Sequence, residues 1–201
     1  MRAIPELADQ IARRYYEIPK DQRNGKCQIT TSTSFFIPKP FTPFQWARMY
    51  TNEEYISRAA IVKHAFNEQL NRKSLKYHWH DAEVTVLEGV FARGDRKTSE
   101  VIKEAYHLGC LYDSWSDRFD NDKWMQAFEN TGIDIAFYNL RERPLDEVFP
   151  WDFIDIGVTK EFLKQEWNHA MNAEVTPNCR MKCSGCGVAK WKGGVCIESK
   201  N

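Results

Sequence analysis

Four cysteines stand close together near the end of the chain, at Cys179, Cys183, Cys186 and Cys196. Three residues separate the first pair, two separate the second pair, and nine more precede the fourth cysteine. Thiolate sulfur is a usual ligand of structural zinc and of iron–sulfur clusters. The spacing therefore predicts a metal centre in this segment.

An iron–sulfur cluster is the metal centre that the spacing favours. Three crowded thiolates can bind one face of a cubane cluster, and a more distant fourth can complete the ligand set. Structural zinc is the alternative, although its usual four-cysteine sites use two Cys-x2-Cys pairs held apart. Gly185 and Gly187 would let the backbone curl close to either metal. Basic side chains that would offset the charge of a cluster surround the cysteines: Arg180, Lys182, Lys190 and Lys192.

The overall composition argues against some classes of protein. Basic and acidic residues number 28 each, so the net charge is zero and long-range binding to DNA or to an anionic membrane is not expected. No stretch approaches the roughly 18 apolar residues of a membrane span. Charged residues within positions 1–20 leave no room for the apolar core of a signal peptide. We therefore expect a cytoplasmic chain, in which structural disulfides would be rare.

Hydrophobic spacing predicts more helices than strands. Strands are expected over 27–37 and 76–80, and the first must stop at Pro38 because proline cannot donate to a sheet ladder. Two strands cannot form a stable sheet alone, so we expect the chain to begin in the middle of a larger sheet rather than to cover a small one. Helices are expected over 4–17, 51–70, 81–94, 98–109, 121–132 and 159–170.

Several potentially reactive residues have simpler structural interpretations. His78 and His80 would share one face of a strand, but the sequence offers no third metal ligand beside them. Asp81 is expected to be a helix N-cap. Cys27 and Cys110 have no partner in the sequence and are expected to be buried thiols.

Three stretches resemble radical SAM enzymes that have an N-terminal cobalamin-binding-like domain. Residues 33–46 (TSFFIPKPFTPFQW) are similar to the last barrel strand and the loop after it. Residues 87–96 (LEGVFARGDR) resemble a helix and turn that follow the barrel. Residues 141–180 and 183–187 resemble the C-terminus of one subfamily, although Ala189 stands where that subfamily tends to have its last cysteine.

The resemblance implies that the chain is the C-terminal third of a longer protein. The expected fold is α/β to mostly α, with the edge of an incomplete radical SAM partial barrel, a helical extension and an irregular Cys-rich tail. The implied boundaries are 1–50 for the barrel edge, 51–172 for the extension and 173–201 for the tail. The barrel core, its catalytic cluster and a cobalamin-type domain would lie upstream.

The resemblance also implies where cofactors would bind. Ser32, Ser34 and Phe36 would face the cavity that holds S-adenosylmethionine, because the last strand of such a barrel lines it. The spacing of Cys179, Cys183 and Cys186 equals that of the family's catalytic triad, but only 15 residues follow Cys186 and no barrel could form around it. We therefore expect a fully ligated auxiliary 4Fe-4S cluster that also uses Cys196, and we identify no catalytic residue.

The predicted function is that of a C-terminal segment of a radical SAM enzyme, not catalytic alone. Its partners would be the upstream radical SAM core and an electron donor, with no membrane. The alternative is a stand-alone zinc-binding interaction module that contacts RNA or protein, since Trp191 between Lys190 and Lys192 could stack on a base. A small electron-transfer protein is a third interpretation, in which most of the chain would be scaffold.

Overall fold

The computed structural model describes residues 1–191, and Trp191 by its backbone alone. This part of the chain has a mixed α/β fold that is rich in helix, with seven α-helices and one two-stranded parallel sheet that does not close into a barrel. None of the described helices combines the length and the apolar character needed to cross a membrane. Cys196 and Lys192 lie outside the described residues.

The helices and strands alternate only in the first half of the chain. The strands are β1 (Ile29–Thr33) and β2 (Leu75–Trp79). The helices are α1 (Ala3–Glu17), α2 (Asn52–Asn67), α3 (Ala82–Arg93), α4 (Thr98–His107), α5 (Asn121–Thr131), α6 (Ile135–Asn139) and α7 (Lys160–Met171). The chain divides into two compact units. Unit 1 comprises Met1–Ile37 and Tyr50–Glu88, and unit 2 comprises Pro38–Met49 and the chain from Gly89 onward.

Unit 1 is built on a β–α–β arrangement. Strands β1 and β2 pair in parallel with Ile29 opposite Leu75, and α2 forms the crossover that a parallel pair requires. The core of this unit is small: Ala8, Val62 and Phe66 are buried, and Ile29, Leu75 and Tyr77 pack against them. Ala8 belongs to α1, and Val62 and Phe66 belong to α2. Helices α1 and α2 therefore cover the same face of the sheet.

Helix α1 uses its small residues for this packing. The sequence places Ile4, Leu7 and Ile11 on one apolar face, but these side chains are exposed, while Ala8 and Ala12 are buried. Small side chains allow a close approach to α2, and the carboxylate of Asp9 is buried with them. The hydrophobic pattern thus gave the helix correctly but not the face that packs within the chain.

Unit 2 has a larger aromatic core. Its buried residues are Trp46, Phe149, Trp151, Leu163 and Trp167. Helix α7 supplies the last two and packs against a short 3-10 turn, Pro43–Trp46. The rings of Phe149 and Trp151 stack with centroids 4.8 Å apart. This core holds the helix from which the Cys-rich tail leaves.

Helix caps follow from the local sequence more closely than the lengths of the helices and strands do. Thr51 and Glu54 form a capping box at the start of α2, and Thr159 is the N-cap of α7. Asp81 accepts the N–H groups of Glu83 and Val84 at 2.8 and 3.1 Å, which confirms its predicted role as a cap.

Other predictions about single elements need correction. Strand β1 is five residues long because its ladder ends with β2 at Trp79. Leu70 lies beyond α2 and is exposed, and the short helix α6 was not expected. Cys110 is buried as expected, but Cys27 is only half-buried because it precedes β1 in a segment without regular structure. The boundaries 1–50, 51–172 and 173–201 stay predictions.

Candidate metal centre

Cys179 lies within a single turn that begins at Asn178, and Cys183 follows that turn. The backbone carbonyl of Asn178 accepts the N–H of Met181 at 2.9 Å and that of Lys182 at 3.2 Å. Its side-chain oxygen accepts the N–H of Arg180 at 3.0 Å. Cys179 and Cys183 are four apart, and both are exposed free thiols.

Cys186 lies between two glycines in the left-handed conformation. Gly185 has a φ of 74° and Gly187 a φ of 103°, and side-chain-bearing residues rarely adopt such values. A Cβ at Gly187 would lie 2.8 Å from the carbonyl oxygen of Gly157. Only glycine therefore fits at this position without moving the backbone beside it.

The loop around Cys186 is fixed to the start of α7. The carbonyl of Cys186 accepts the backbone N–H of Thr159 at 2.9 Å, and Lys190 Nζ lies 3.0 Å from Asp155 Oδ2. The hydrogen bonds from Lys190 and from the N–H of Gly157 hold the pKa of the Asp155 carboxyl below its ordinary value. Cys186 is accordingly half-buried, in contrast to Cys179 and Cys183.

The described residues do not form a finished metal site. Across positions 1–191, no three His, Cys, Asp or Glu side chains are grouped so that they could hold an ion. Of the four predicted ligands, Cys179 lies in a turn, Cys183 and Cys186 lie in the irregular segment after it, and Cys196 falls outside the described part of the chain. Within residues 1–191, the structure thus places three thiols in one short segment without grouping the three of them into a site.

A cleft of about 350 Å³ lies between the end of α7 and the tail. Helix α7 contributes Glu166 and His169 to the lining of this cleft. The residues after the helix contribute Glu174, Lys182, Cys183 and Ser184. Sequence reasoning missed this group of residues. The Glu-x-x-His spacing at Glu166 and His169, just before the cysteines, is the signal that could have identified it.

Exposure alternates along the segment that holds the predicted cofactor-facing residues, of which Ser32 lies in β1 and Ser34 and Phe36 follow it. Ser32, Ser34 and Phe36 are exposed, whereas Thr31, Thr33 and Phe35 between them are half-buried, as expected of extended backbone. The hydroxyl of Tyr55 donates to the carbonyl of Phe36 at 2.8 Å and ring stacking joins Phe35 to Tyr55.

The neighbouring strand adds polar groups to the same exposed face. Ser32 stands opposite His78 in the register, and the side chains of Lys76 and His78 are exposed like those of Thr30 and Ser32. The helices α1 and α2 cover only the opposite face. One face of a parallel sheet is therefore polar and uncovered within unit 1.

Comparison with protein-family models, with curated proteins and with solved structures finds no match to this chain. The class that fold and site define is therefore a mixed α/β chain with a Cys-rich tail. The relation to radical SAM enzymes stays a prediction from the sequence stretches that resemble them.

Proposed function

We propose that this chain is the C-terminal segment of a radical SAM enzyme and that its tail binds an auxiliary iron–sulfur cluster. The observation that carries the proposal is the conformation of Gly185 and Gly187 around Cys186. Concave anion-binding nests, which many iron–sulfur sites use, form where right-handed and left-handed residues follow one another along the backbone. The left-handed glycines on either side of Cys186, together with the thiols of Cys183 and Cys186, support this proposal.

The ligands of the proposed cluster are Cys179, Cys183, Cys186 and Cys196. Four thiolates would leave no iron open for S-adenosylmethionine, so the cluster would carry electrons or anchor substrate. The catalytic cluster, and a cobalamin-type domain, would belong to the upstream core. Electrons would come from a separate donor.

The open sheet of unit 1 supports a place at the edge of a barrel. Parallel sheets are almost always covered on both faces, yet β1 and β2 are covered on one face only. In a barrel the helices lie outside and the opposite face points inward. Ser32 belongs to that opposite face, and Ser34 and Phe36, just beyond β1, are exposed as Ser32 is; S-adenosylmethionine would bind beside them in the complete enzyme.

A zinc-binding interaction module is the second candidate. Its support is the exposure of Cys179 and Cys183, together with the Cys-x2-Cys spacing of Cys183 and Cys186 that zinc sites share. Such a module would contact RNA or protein through the basic residues of the tail. The two candidates differ in the metal that they bind.

Metal analysis of the purified chain tests the proposal. The chain is prepared without oxygen, supplied with iron, sulfide and zinc, and assayed for all three and for visible absorbance. We expect about four irons and four sulfides per chain, as in a cubane cluster. Cys183→Ser should lose most of the iron, whereas Cys27→Ser, which alters a half-buried thiol outside the tail, should retain it.

Two other results would reject the assignment. One tightly held zinc without colour would favour the interaction module, and no bound metal would exclude both candidates. A separate assay asks whether the chain with dithionite cleaves S-adenosylmethionine. We expect no 5′-deoxyadenosine, and its formation would contradict the role of a non-catalytic segment.

A further inference from the structure

A second cleft, also of about 350 Å³, lies at the N-terminal end of α7. All the residues that line it belong to unit 2. Its polar lining includes Gln45, Lys160 and Glu161. Its apolar lining includes Phe41 and Phe153. The proposed cluster makes no use of this cleft.

The hydrogen-bond partners of the buried Gln45 side chain determine how its amide is oriented. The backbone N–H of Phe41 and the indole N–H of Trp151 both approach Gln45 Oε1, at 3.1 and 2.9 Å. Because both partners can only donate, this atom is the amide oxygen and the NH2 group points away from them.

The NH2 group of Gln45 is available to a ligand. The side chain belongs to a residue that is only 2% exposed, yet its NH2 group donates to no acceptor among residues 1–191. A buried donor that has no acceptor is costly, so a ligand that accepts from it gains affinity. Gln45 lines the cleft, which is where such a ligand would lie.

The first turn of α7 adds two more donors. Thr159 accepts the N–H of Phe162 at 3.2 Å and so caps only one of the free N–H groups of this turn. The N–H groups of Lys160 and Glu161 precede the first intrahelical bond, and they have no acceptor within the described part of the chain. Free N–H groups at a helix N-terminus attract negative charge.

The charged side chains of the lining limit the charge of the ligand. Lys160 pairs with Asp152, and Lys190 lies 3.0 Å from Asp155. Glu161 adds an exposed carboxylate. A phosphate, with a charge of roughly −2, would be repelled by these carboxylates more strongly than a carboxylate of charge −1. A carboxylate also has the two oxygens that the amide and backbone donors can share.

Apolar surface borders these donors. Phe153 is 85% exposed although it lines the cleft, and the ring of Phe41 beside it is half-buried. Removal of such surface from water is favourable. An apolar group attached to the carboxylate would therefore strengthen binding.

We propose that this cleft binds a small organic carboxylate that carries an apolar group. The carboxylate oxygens accept the NH2 group of Gln45 and the N–H groups of Lys160 and Glu161. The apolar group packs against Phe41 and Phe153. This inference goes beyond the function proposed above and does not depend on metal binding by the tail.

NMR titration of the full chain tests the site, with phenylacetate and 3-methylbutanoate as the probes. We expect saturable shifts in the backbone amide signals of Lys160 and Glu161 and in the side-chain amide signals of Gln45. Phenylacetamide lacks the negative charge and acetate lacks the apolar group. Each should bind about tenfold more weakly than phenylacetate, because each loses one of the two kinds of contact.

Gln45→Glu tests the buried donor. The new side chain can still accept the N–H groups of Phe41 and Trp151, but its second oxygen would repel a carboxylate. At about pH 8 the two donated hydrogen bonds favour the ionised form of the new carboxyl. The affinity for phenylacetate should then fall about 10- to 100-fold, as loss of a hydrogen bond to a charged group predicts.

Phe153→Ala tests the apolar contact without altering a buried side chain. The affinity for phenylacetate should fall about three- to tenfold, because the ring of the ligand loses apolar surface to pack against. Val148→Ala is the matched control, since Val148 is 83% exposed in the same unit and does not line the cleft. This variant should bind phenylacetate as the unmodified chain does.

Three results would overturn the inference. In the first, neither probe shifts the signals of Lys160 and Glu161. In the second, phenylacetamide binds as tightly as phenylacetate. In the third, Phe153→Ala weakens binding no more than Val148→Ala does. The third result remains decisive if Gln45→Glu fails to fold, because Phe153 is exposed.

Discussion

Unit 1 and unit 2 bury their apolar residues to very different extents. Unit 2 encloses three tryptophans in one core, with Trp46 fully buried. Unit 1 buries alanines together with Tyr55, Val62, Phe66 and Leu87, has no buried tryptophan, and leaves many larger apolar side chains exposed. These exposed residues include Ile4, Leu7, Ile11, Phe36, Ile56 and Ile61.

The difference shows which unit resembles a finished folding unit. Burial of large side chains is the main favourable term in folding, at about 25 cal/mol per Å² of apolar surface. The three buried tryptophans of unit 2 each bring a large area to this term. Unit 1 has an open sheet and an apolar helix face, as expected of a piece that packs against further protein, which agrees with the proposed barrel edge.

The two units are alike in one respect, since each contains a buried or half-buried carboxylate paired with arginine. Asp9 in unit 1 accepts Arg13 Nε at 2.6 Å and the N–H of Asn71 at 2.8 Å. Glu147 in unit 2 accepts both terminal nitrogens of Arg141 at 2.6 and 2.7 Å. The free energy of unfolding of both units should therefore decrease at acid pH.

Truncation of the core of unit 2 should have the largest effect. Trp46→Ala should lower the free energy of unfolding by about 3–5 kcal/mol, because it leaves a cavity among packed aromatic rings. Urea unfolding followed by circular dichroism measures the change. The control is Trp115→Ala, at an exposed position, where we expect a change within about 0.5 kcal/mol. Equal losses in the two variants would contradict the contrast between core and surface.

Removal of the carboxylate of Glu147 should come next. Glu147→Gln leaves the buried guanidinium of Arg143 without its charged partner, which should destabilise the chain by about 3 kcal/mol. The exposed pair of Arg14 and Glu17 is the matched control, and Glu17→Gln should change the unfolding free energy by less than about 0.5 kcal/mol. Similar losses of unfolding free energy in the two variants would show that burial does not determine how much an ion pair contributes to stability.

The acid dependence of Glu147 follows from its environment. Burial alone would raise the pKa of this carboxyl, but the hydrogen bonds and charges of Arg141 and Arg143 outweigh it and hold the pKa below 4.5. A lowered carboxyl pKa gives stability that is complete above the ordinary value and is lost as the pH falls through the folded-state value. The decline in unfolding free energy below pH 4.5 should be shallower in Glu147→Gln.

The corresponding carboxylate of unit 1 should have a somewhat smaller effect. Burial opposes ionisation of Asp9, yet hydrogen bonds from Asn71 and Arg13 hold its pKa below 3.8. Asp9→Asn should cost about 2 kcal/mol, as the loss of a charge-assisted hydrogen-bond network does. Its contribution should disappear only as the pH falls below 3.8, so urea titrations at several pH values should distinguish it from that of Glu147.

Substitution of the tail glycines should act locally. Gly187→Ala faces the cost of a left-handed backbone, about 1–2 kcal/mol, and a contact with the Gly157 carbonyl. Gly185→Ala has the same backbone cost, but nothing lies within 4 Å of its new Cβ. We expect Gly187→Ala to release the loop and to speed alkylation of Cys186 more than Gly185→Ala does. Equal alkylation rates would argue against the docking of this loop on α7.

Truncation of the exposed face of α1 should have the smallest effect. Leu7→Ala should change the unfolding free energy of the chain alone by less than about 0.5 kcal/mol. The opposite change on the buried face, Ala12→Leu, should cost about 1–3 kcal/mol through overpacking against its neighbours. If Leu7→Ala were the more damaging of the two, the packing face of α1 would be wrong.

Much of the secondary structure could be predicted from local chemistry. Caps such as Thr51 and Thr159 depend on a few adjacent residues, so their signals are complete within the sequence. The ends of β1 could not be predicted, because a ladder ends where its partner strand ends. The burial of Asp9 could not be predicted from the sequence either, because Asn71, which stabilises it, lies 62 residues away.

For the candidate metal centre, the sequence alone determined the ligand types and their spacing. Four cysteines and their glycines are recognisable without a fold, because metal coordination depends on side-chain chemistry and short chain distances. Only the tertiary structure brought Glu166, His169 and Thr176 to the cleft that Cys183 lines. It did so because the turn after α7 reverses the chain, and the sequence does not specify where a reversed chain returns.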